Sequence, residues 1–244
     1  MKLGFIGTGT IASAVVRGLT GQGHEIRISA RSAARSEPLA AEFPEVTIAE
    51  LQEILDQSEV VFLGLMLGRA PEILGALTFP SGLQVVSFMA GADLAQVASL
   101  VTPARAAAVM MPFPSIAQGG SAIMALGDTA LLNRIFAPAN TVFALGDAAE
   151  LDAYLCAQAV LSPVARQVAD AAAWLGARVS DPTQGEAFLR MLVATSLSQS
   201  DAETLIAALN TPGGYNQRLR QHMDDAGQGT ALLAGLTSLE TKGC

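Results

Sequence analysis

The sequence predicts an α/β fold in which a doubly wound parallel sheet is followed by an all-helical part. In the first half, short apolar stretches alternate with amphipathic stretches, which is typical of strands and crossover helices. In the second half, long alanine-rich stretches have helical spacing and no strand pattern. With 51% hydrophobic and 15% charged residues, the 244-residue chain has enough apolar side chain to fill a core.

Six strands and five helices are predicted in the first half. The stretch 60–65 is apolar on both faces, as a central strand of a parallel sheet must be. Gly21 and Gly23 end the first helix before the second strand begins. The predicted strands are 2–6, 25–29, 46–48, 60–65, 84–88 and 106–111, and the predicted helices are 11–19, 37–43, 51–57, 71–77 and 94–101.

The pattern changes near residue 148, so two domains are expected, 1–147 and 148–244. A long helical stretch, 150–175, is apolar almost all round, and Pro163 predicts a kink in it. Such a helix in a small domain needs a second surface to cover it, which predicts a homodimer or higher homo-oligomer. The remaining predicted helices are 184–197, 201–209, 215–225 and 230–241.

Composition excludes several classes of protein. A formal charge of −8 and the lack of basic clusters argue against a nucleic-acid or anionic membrane surface. The uncharged stretches 73–92 and 106–127 contain Pro and Gly, which argues against membrane-spanning helices. Cys156 and Cys244 form no disulfide framework, and with two histidines no metal site is expected. The chain is therefore expected to be cytoplasmic.

The segment Gly7–Ala12 follows the first predicted strand and opens the first predicted helix. It fits the pattern G-x-G-x-x-G/A, in which the glycines allow a tight turn and close approach of the backbone to a pyrophosphate. Free N–H groups at the helix start favour the anion. This context predicts a dinucleotide site, the alternative being a turn that binds no ligand. Its residues are Gly7, Thr8, Gly9, Thr10, Ile11 and Ala12.

The end of the second predicted strand indicates which dinucleotide is bound. An NAD site usually has Asp or Glu there, whereas this chain has Arg31 and Ser32, followed by Arg35. Guanidinium and hydroxyl groups bind a 2′-phosphate that a carboxylate would repel. We therefore expect NADPH rather than NADH, with solvated arginines as the alternative interpretation.

A second motif, Thr211–Gly214, lies directly before the predicted helix that starts at Tyr215. A Pro-Gly-Gly turn before a helix exposes N–H groups that suit a substrate carboxylate. An ordinary helix–helix turn has the same composition, so the motif alone leaves both interpretations open.

Together these motifs resemble the pyrroline-5-carboxylate reductase family. The resemblance is carried by the segments Met1–Ala12, Ser29–Ser32, Ala90–Gly91, Val109–Pro112 and Thr211–Gly214, and it extends over essentially the whole chain. It implies a Rossmann-type NADP-binding domain, 1–147, and a helical dimerisation and substrate domain, 148–244. It also implies reduction of a cyclic imine acid to proline by NAD(P)H.

The resemblance also assigns site residues. It implies cofactor contacts at Leu65, Met66, Ala90 and Gly91, substrate contacts at Ser162, Pro212, Gly213 and Gly214, and catalytic roles for Asn216 or Tyr215. In this interpretation the Gly213 and Gly214 N–H groups hold the carboxylate of the substrate. Hydride transfer to a protonated imine needs no nucleophile and no metal, which agrees with the lack of a convincing active-site His or Lys.

Several expected pocket positions depart from the family pattern. Met66-Leu67 replaces a Lys-Pro pair, Phe113 replaces an Asn, and Ser162 lies in a segment that has lost its glycines. Tyr215 and Asn216 replace a hydroxyl residue. Two alternatives therefore stay open beside pyrroline-5-carboxylate reduction: a paralogue that reduces another imine or keto substrate, and a non-catalytic, NADPH-binding regulatory protein.

Overall fold

The computed structural model describes residues 1–30 and 33–242. Its contacts divide the chain into two compact units, residues 1–151 and 152–244. The first unit contains all the strands of the described chain, and the second is helical. None of the described helices is both long and apolar enough to cross a membrane.

The N-terminal unit is built on one eight-stranded sheet. Its strand order is β3-β2-β1-β4-β5-β6-β7-β8, and β1 to β6 are parallel. This confirms the predicted doubly wound sheet, because the order 3-2-1-4-5-6 is that of the dinucleotide-binding α/β fold. The strands are β1 (Lys2–Ile6), β2 (Glu25–Ser29), β3 (Val46–Ala49), β4 (Val60–Leu63), β5 (Gln84–Ser87), β6 (Arg105–Pro112), β7 (Ala122–Gly127) and β8 (Thr141–Leu145).

Two strands at one edge were not expected from the sequence. β7 runs antiparallel to β6, with Met110 opposite Ala125, and β8 pairs in parallel with β7. The stretch 122–127 is apolar, as a strand would be. The residues on either side, Gly119-Gly120 and Asp128, are typical of turns, so the sequence around it is also compatible with a long loop. The sheet is therefore mixed at this edge and parallel elsewhere.

Six helices belong mainly to this unit: α1 (Thr10–Leu19), α2 (Ala33–Glu42), α3 (Leu51–Gln57), α4 (Ala70–Leu74), α5 (Leu94–Val101) and α6 (Thr129–Phe136). Against the sequence-based expectation, α2 begins four residues earlier, α4 is shorter, and α6 is additional. Pro38 lies inside α2. Asp93 starts α5 with a capping box, in which its side chain accepts from the Gln96 N–H and Gln96 accepts in return from the Asp93 N–H.

Aromatic rings fill the centre of the core. The Phe62 ring stacks on that of Phe5 with centroids 4.7 Å apart, and it meets the Phe136 ring edge-on at 6.0 Å. All three side chains are fully buried. Phe62 lies on β4 and Phe5 on the neighbouring β1, so this stack fixes the middle of the sheet.

The rest of the described chain is helical: α7 (Ala148–Ala157), α8 (Leu161–Gly176), α9 (Pro182–Gln199), α10 (Ala202–Ala208), α11 (Tyr215–Asp225) and α12 (Gln228–Lys242). The predicted kink at Pro163 is wrong in position. A 3-10 turn, Gln158–Val160, separates α7 from α8, and Pro163 lies in the first turn of α8, where a missing N–H costs nothing. Asp181 caps α9, with Pro182 as its first residue.

Candidate functional site

The turn after β1 requires glycine at position 7. Gly7 has φ +99°, and a Cβ there would overlap the carbonyl oxygen of Gly64. Gly64 follows β4, and its N–H donates to the Ile6 carbonyl at 2.9 Å. The ends of β1 and β4 are thus in contact at the point where the strand order reverses, which is where α/β sheets bind their ligands.

Gly9 is the last residue before α1, and it faces open space. A Cβ built on Gly9 would have no heavy atom within 4 Å. No side chain in the described part of the chain caps α1, and its first intrahelical bond runs from the Ser13 N–H to the Gly9 carbonyl at 2.9 Å. The first N–H groups of α1 therefore point out of the helix start, where they can bind an anion.

Ala12 allows α1 to lie close to the sheet. It is 2% exposed, and its Cβ lies 3.1 Å from the position that a Cβ on Gly64 would take. A larger residue at either position would push the helix start away from the end of β4. Ile11, the neighbouring residue, packs partly against the core.

Polar groups below the turn hold it in place. The Gly7 N–H donates to Ser29 Oγ at 3.0 Å, and Ser29 is buried at the end of β2. The Ser13 hydroxyl donates to the Thr8 carbonyl at 3.4 Å. Thr8 Oγ1 is buried and has no hydrogen-bond partner among the described residues. The sequence did not predict this role for Ser29, although a serine at the end of an apolar strand is a signal that could have indicated it.

These features fit a dinucleotide. The turn gives a glycine whose Cβ would fill the approach, an uncapped helix start, and an orphaned buried hydroxyl in Thr8. Backbone N–H groups at a helix start are the donors that bind a pyrophosphate in this type of fold. The described residues therefore suit the group that the sequence predicts at this place.

Of the three residues predicted to bind a 2′-phosphate, the structure describes Arg35. Arg31 and Ser32 lie outside the described residues. Arg35, in the first turn of α2, donates from Nη1 to Thr10 Oγ1 at 2.9 Å. Its guanidinium thus lies at the start of α1, beside an open cleft of about 390 Å³ between α1 and α2. A cation at this position adds attraction for a phosphate to that of the helix start.

Two further turns, in which the resemblance implies cofactor contacts, lie at the carboxyl edge of the sheet. Leu65 and Met66 follow β4, and the Leu65 side chain lies 3.3 Å from the position of a Cβ on Gly7. Ala90 and Gly91 are exposed in the turn after β5, and Gly91 has φ +77°. Because β1, β4 and β5 are adjacent and parallel, these turns lie along one edge with the Gly7–Gly9 turn.

In the helical unit, the predicted carboxylate donors are already bonded. Gly213 has φ +75°, and its N–H donates to Gln217 Oε1 at 2.8 Å. The Gly214 N–H donates to the Thr211 carbonyl at 2.9 Å. As the turn is folded, both N–H groups are bonded within it, and their assignment to a substrate carboxylate stays a prediction. Pro212 is exposed in the same turn.

The predicted catalytic side chains are exposed. Tyr215 is 91% exposed, and Asn216 beside it in the first turn of α11 is exposed as well. Ser162 is exposed at the second position of α8. Because no side chain among the described residues caps α11, its first N–H groups stay open behind Gly214.

The histidine of the N-terminal unit lies away from this edge. His24 precedes β2 at the amino edge of the sheet, and its Nδ1 is 3.4 Å from the amino group of Met1. Burial and the charge of that amino group lower the pKa of His24. Among the described residues no group of three His, Cys, Asp or Glu side chains is placed to hold a metal ion.

Comparisons with known proteins agree with this geometry. Residues 2–91 match a family described as NADP oxidoreductase, coenzyme F420-dependent. No curated protein matches the chain. Among solved structures, the 1-pyrroline-5-carboxylate reductase of Streptococcus pyogenes has a TM-score of 0.83 at 21% identity, covering 99% of this chain and 97% of that one.

Two other solved structures extend the comparison. A Plasmodium falciparum pyrroline carboxylate reductase with NADP bound has a TM-score of 0.82 at 13% identity, covering 99% of this chain and 96% of that one. An imine reductase from a Pseudomonas species has a TM-score of 0.62 at 17% identity, covering 85% and 76%. The resemblance predicted from the sequence is thus confirmed as a shared fold.

Proposed function

We propose that this chain is an NADPH-dependent reductase of a carbon–nitrogen double bond. The observation that carries the proposal is the Gly7–Gly9 turn with the uncapped start of α1, at the point where the strand order reverses. Support comes from the fold, which is shared with structures of pyrroline-5-carboxylate reductases and of an imine reductase.

The chemistry follows from the cofactor. When bound, NADPH would supply the hydride that reduces the carbon–nitrogen double bond. The imine is protonated from solvent beforehand, and the iminium is then electrophilic enough to need no nucleophile or metal from the protein. The task of the protein is to bind and orient the substrate and the cofactor, and to exclude water from them.

Individual residues take parts in that task. The first N–H groups of α1 bind the pyrophosphate, and Gly9 leaves room for it. Arg35 binds a phosphate group of the cofactor beside Thr10. Leu65 and Met66, after β4, cover the nicotinamide half with apolar surface. Asn216 or Tyr215 orients the substrate through a hydrogen bond to its nitrogen.

The substrate that the resemblance implies is pyrroline-5-carboxylate, the imine acid of proline biosynthesis. Support for it comes from the two reductase structures, whose fold this chain shares. The bonded N–H groups of the Thr211–Gly214 turn favour a different imine, which is the alternative that the sequence left open.

The chain acts as a homodimer or higher homo-oligomer in this proposal. On α9, Phe188, Met191 and Leu192 are exposed, and Gly185 is the one buried residue among those described in that helix. A second copy is the occupant that we propose, because three large apolar side chains exposed on one helix are typical of an interaction surface. Light scattering of the intact chain tests this, and a monomer at micromolar concentration overturns it.

The proposed reaction is tested by following the loss of NADPH absorbance with 1-pyrroline-5-carboxylate and with the neutral imine 1-pyrroline. Turnover of at least one imine, faster with NADPH than with NADH, is the expected result. If NADPH raises the melting temperature but no imine is reduced, the catalytic proposal is wrong and the non-catalytic alternative replaces it. A Gly9→Val variant serves as the control for cofactor binding.

A further inference from the structure

Two hydroxyl oxygens of the described residues are buried without a hydrogen-bond partner in the protein: Thr8 Oγ1 and Ser58 Oγ. A hydroxyl that leaves water for such a place gives up its hydrogen bonds to water and gains none. Each of the two is therefore expected to destabilise the folded chain. Buried polar groups without a partner are uncommon in native proteins, and a bound ion is one of the partners that can satisfy them.

The two hydroxyls lie at opposite edges of the sheet. Thr8 follows β1 at the carboxyl edge, in the turn that leads to α1. Ser58 ends α3 and precedes β4, so it lies at the amino edge. Because β1 and β4 are parallel neighbours, the length of a strand separates the two residues. Thr8 is therefore next to the open start of α1, and Ser58 is not.

The backbone on either side of Thr8 is held in place. Before it, the Gly7 N–H donates to Ser29 Oγ at 3.0 Å. The Thr8 carbonyl accepts from the Ser13 hydroxyl at 3.4 Å, and the Gly9 carbonyl accepts from the Ser13 N–H at 2.9 Å. Thr8 is 3% exposed, so this set of bonds keeps its hydroxyl away from bulk water.

The open side of the turn is where a partner for the hydroxyl can bind. Gly9 directly follows Thr8, and a Cβ built on Gly9 would have no heavy atom within 4 Å. No side chain among the described residues caps α1, so an anion bound by its first N–H groups has Thr8 beside it. Phosphate oxygens accept hydrogen bonds, and a threonine hydroxyl is a donor that rotates about χ1 between staggered positions.

We infer that the Thr8 hydroxyl donates to the pyrophosphate of the dinucleotide, and that the unliganded chain is less stable because this hydroxyl is buried there without a partner. This role rests on the proposed function, which supplies the cofactor. Binding then adds a charge-assisted hydrogen bond, which is stronger than a neutral one. The open N–H groups of α1 differ in this respect, because water can bond them before the cofactor binds. Thr8 thus lowers the stability of the unliganded protein and raises its affinity for the cofactor.

The first test replaces Thr8 by valine, which keeps the shape of the side chain and removes its hydroxyl. No non-glycine residue among those described has a positive φ, so the β-branched valine suits the same backbone. The melting temperature of unliganded Thr8→Val is expected to rise by about 2–4 °C, because an unpaired buried hydroxyl is gone. Its Kd for NADPH is expected to rise at least about tenfold, as after the loss of a hydrogen bond to a charged group. A melting temperature that stays the same or falls overturns the inference, and so does an unchanged Kd.

Ser58→Ala is the matched control, because it removes the other unpaired hydroxyl. Its melting temperature is also expected to rise, whereas its Kd for NADPH should not change. Ser29→Ala has the opposite effect on stability, because it takes the acceptor from the Gly7 N–H. Thr8→Ser keeps a hydroxyl and is expected to keep most of the affinity. An equal loss of affinity in Ser58→Ala and Thr8→Val overturns the role of Thr8.

A comparison of two cofactors identifies the phosphate that accepts from Thr8. NADPH and NADH share the pyrophosphate and differ in the 2′-phosphate, so Thr8→Val is expected to weaken the binding of both by the same factor. A loss confined to NADPH overturns the assignment to the pyrophosphate. Calorimetry of the unmodified chain separates the two levels of the proposal. If neither cofactor binds to it, the proposed function is overturned together with this role; if NADPH binds equally to it and to Thr8→Val, only this role is overturned.

Discussion

The two units of the chain use their apolar residues in opposite ways. In the described N-terminal unit, the exposed large apolar side chains are Met1, Met66 and Phe143. In the helical unit most large apolar side chains are exposed, among them Trp174, Leu161, Phe188, Met191, Leu197, Leu219 and Leu233. The first unit forms its own core, whereas the second leaves many of its large apolar side chains exposed.

Aspartate side chains cap two helices of the second unit. Asp181 caps α9 and Asp201 caps α10 through the N–H groups of Gln184 and Thr204. The pKa of Asp201 lies below its usual value because the Thr204 N–H and hydroxyl donate to its carboxylate. The comparison teaches that helical content and a buried core are specified separately in this chain.

The largest expected effect comes from a substitution in the core of the first unit. Phe62→Ala removes the ring that stacks on Phe5 and is expected to lower the free energy of unfolding by about 3–5 kcal/mol. Phe143→Ala, at a half-exposed ring on β8, is the matched control and should cost less than about 1 kcal/mol. Denaturant unfolding measures both, and equal losses contradict the assignment of the core.

The second effect concerns the apolar surface of the helical unit. Phe188→Asp places a charge on exposed apolar surface and is expected to weaken self-association by about 2 kcal/mol or more, as a central interface residue does. Phe143→Asp adds the same charge to an exposed ring of the other unit and should leave association unchanged. Light scattering over a concentration series measures the self-association of each variant. Dissociation of both would contradict the proposed dimer surface.

The third effect distinguishes the two glycines of the turn after β1, Gly7 and Gly9. Gly7→Ala forces a side chain to a φ of +99° and against Gly64, with an expected cost of about 1–3 kcal/mol in stability. Gly9→Ala meets open space, so stability should change by less than about 1 kcal/mol, while NADPH binding weakens about tenfold or more because the methyl group fills the pyrophosphate approach. Thermal unfolding measures the stability of both variants, and NADPH titration measures their affinity for the cofactor. Unchanged NADPH binding in Gly9→Ala would show that the pyrophosphate lies elsewhere.

The smallest expected effect comes from the loss of the helix cap at the start of α6. Asp128 accepts from the Leu131 N–H at 2.9 Å at the start of α6, and its carboxylate lies 3.0 Å from Arg105. Asp128→Ala should cost about 1 kcal/mol, whereas Asp128→Asn keeps the cap and should cost only a fraction of that. Chemical unfolding near neutral pH compares the two variants, and an equal loss in both would show that charge, not capping, is what matters.

The cap also predicts a pH dependence. The Leu131 N–H, and after it Arg105, hold the pKa of Asp128 below its usual value. Because the carboxylate is favoured in the folded state, its contribution is complete above the ordinary pKa of an aspartate and is lost as pH falls through the lowered value. Acid unfolding of Asp128→Asn should therefore lack this component, and an identical acid midpoint would contradict the assignment.

The parallel part of the sheet could be predicted because its signals are local. Alternating apolar and amphipathic stretches predict the strands and helices, and Gly7 and Gly9 predict the tight turn between β1 and α1. The strands β7 and β8 could not be predicted in the same way. Their pairing joins Met110 to Ala125 and Ile123 to Val142. Pairs of residues so far apart in the chain produce no periodic pattern in the sequence.

The sequence by itself determined the fold class of the first half, the strand–turn–helix order at Gly7–Gly9 and the helical nature of the second half. These depend on periodicity, glycine conformation and helix caps, which act between residues close together in the chain. The tertiary structure decided which N–H groups remain free and which apolar residues stay exposed. Gln217 turns back to the Gly213 N–H, and Met66 stays in solvent beside buried neighbours. Both outcomes depend on where the folded backbone places groups in space, and the sequence pattern does not contain that information.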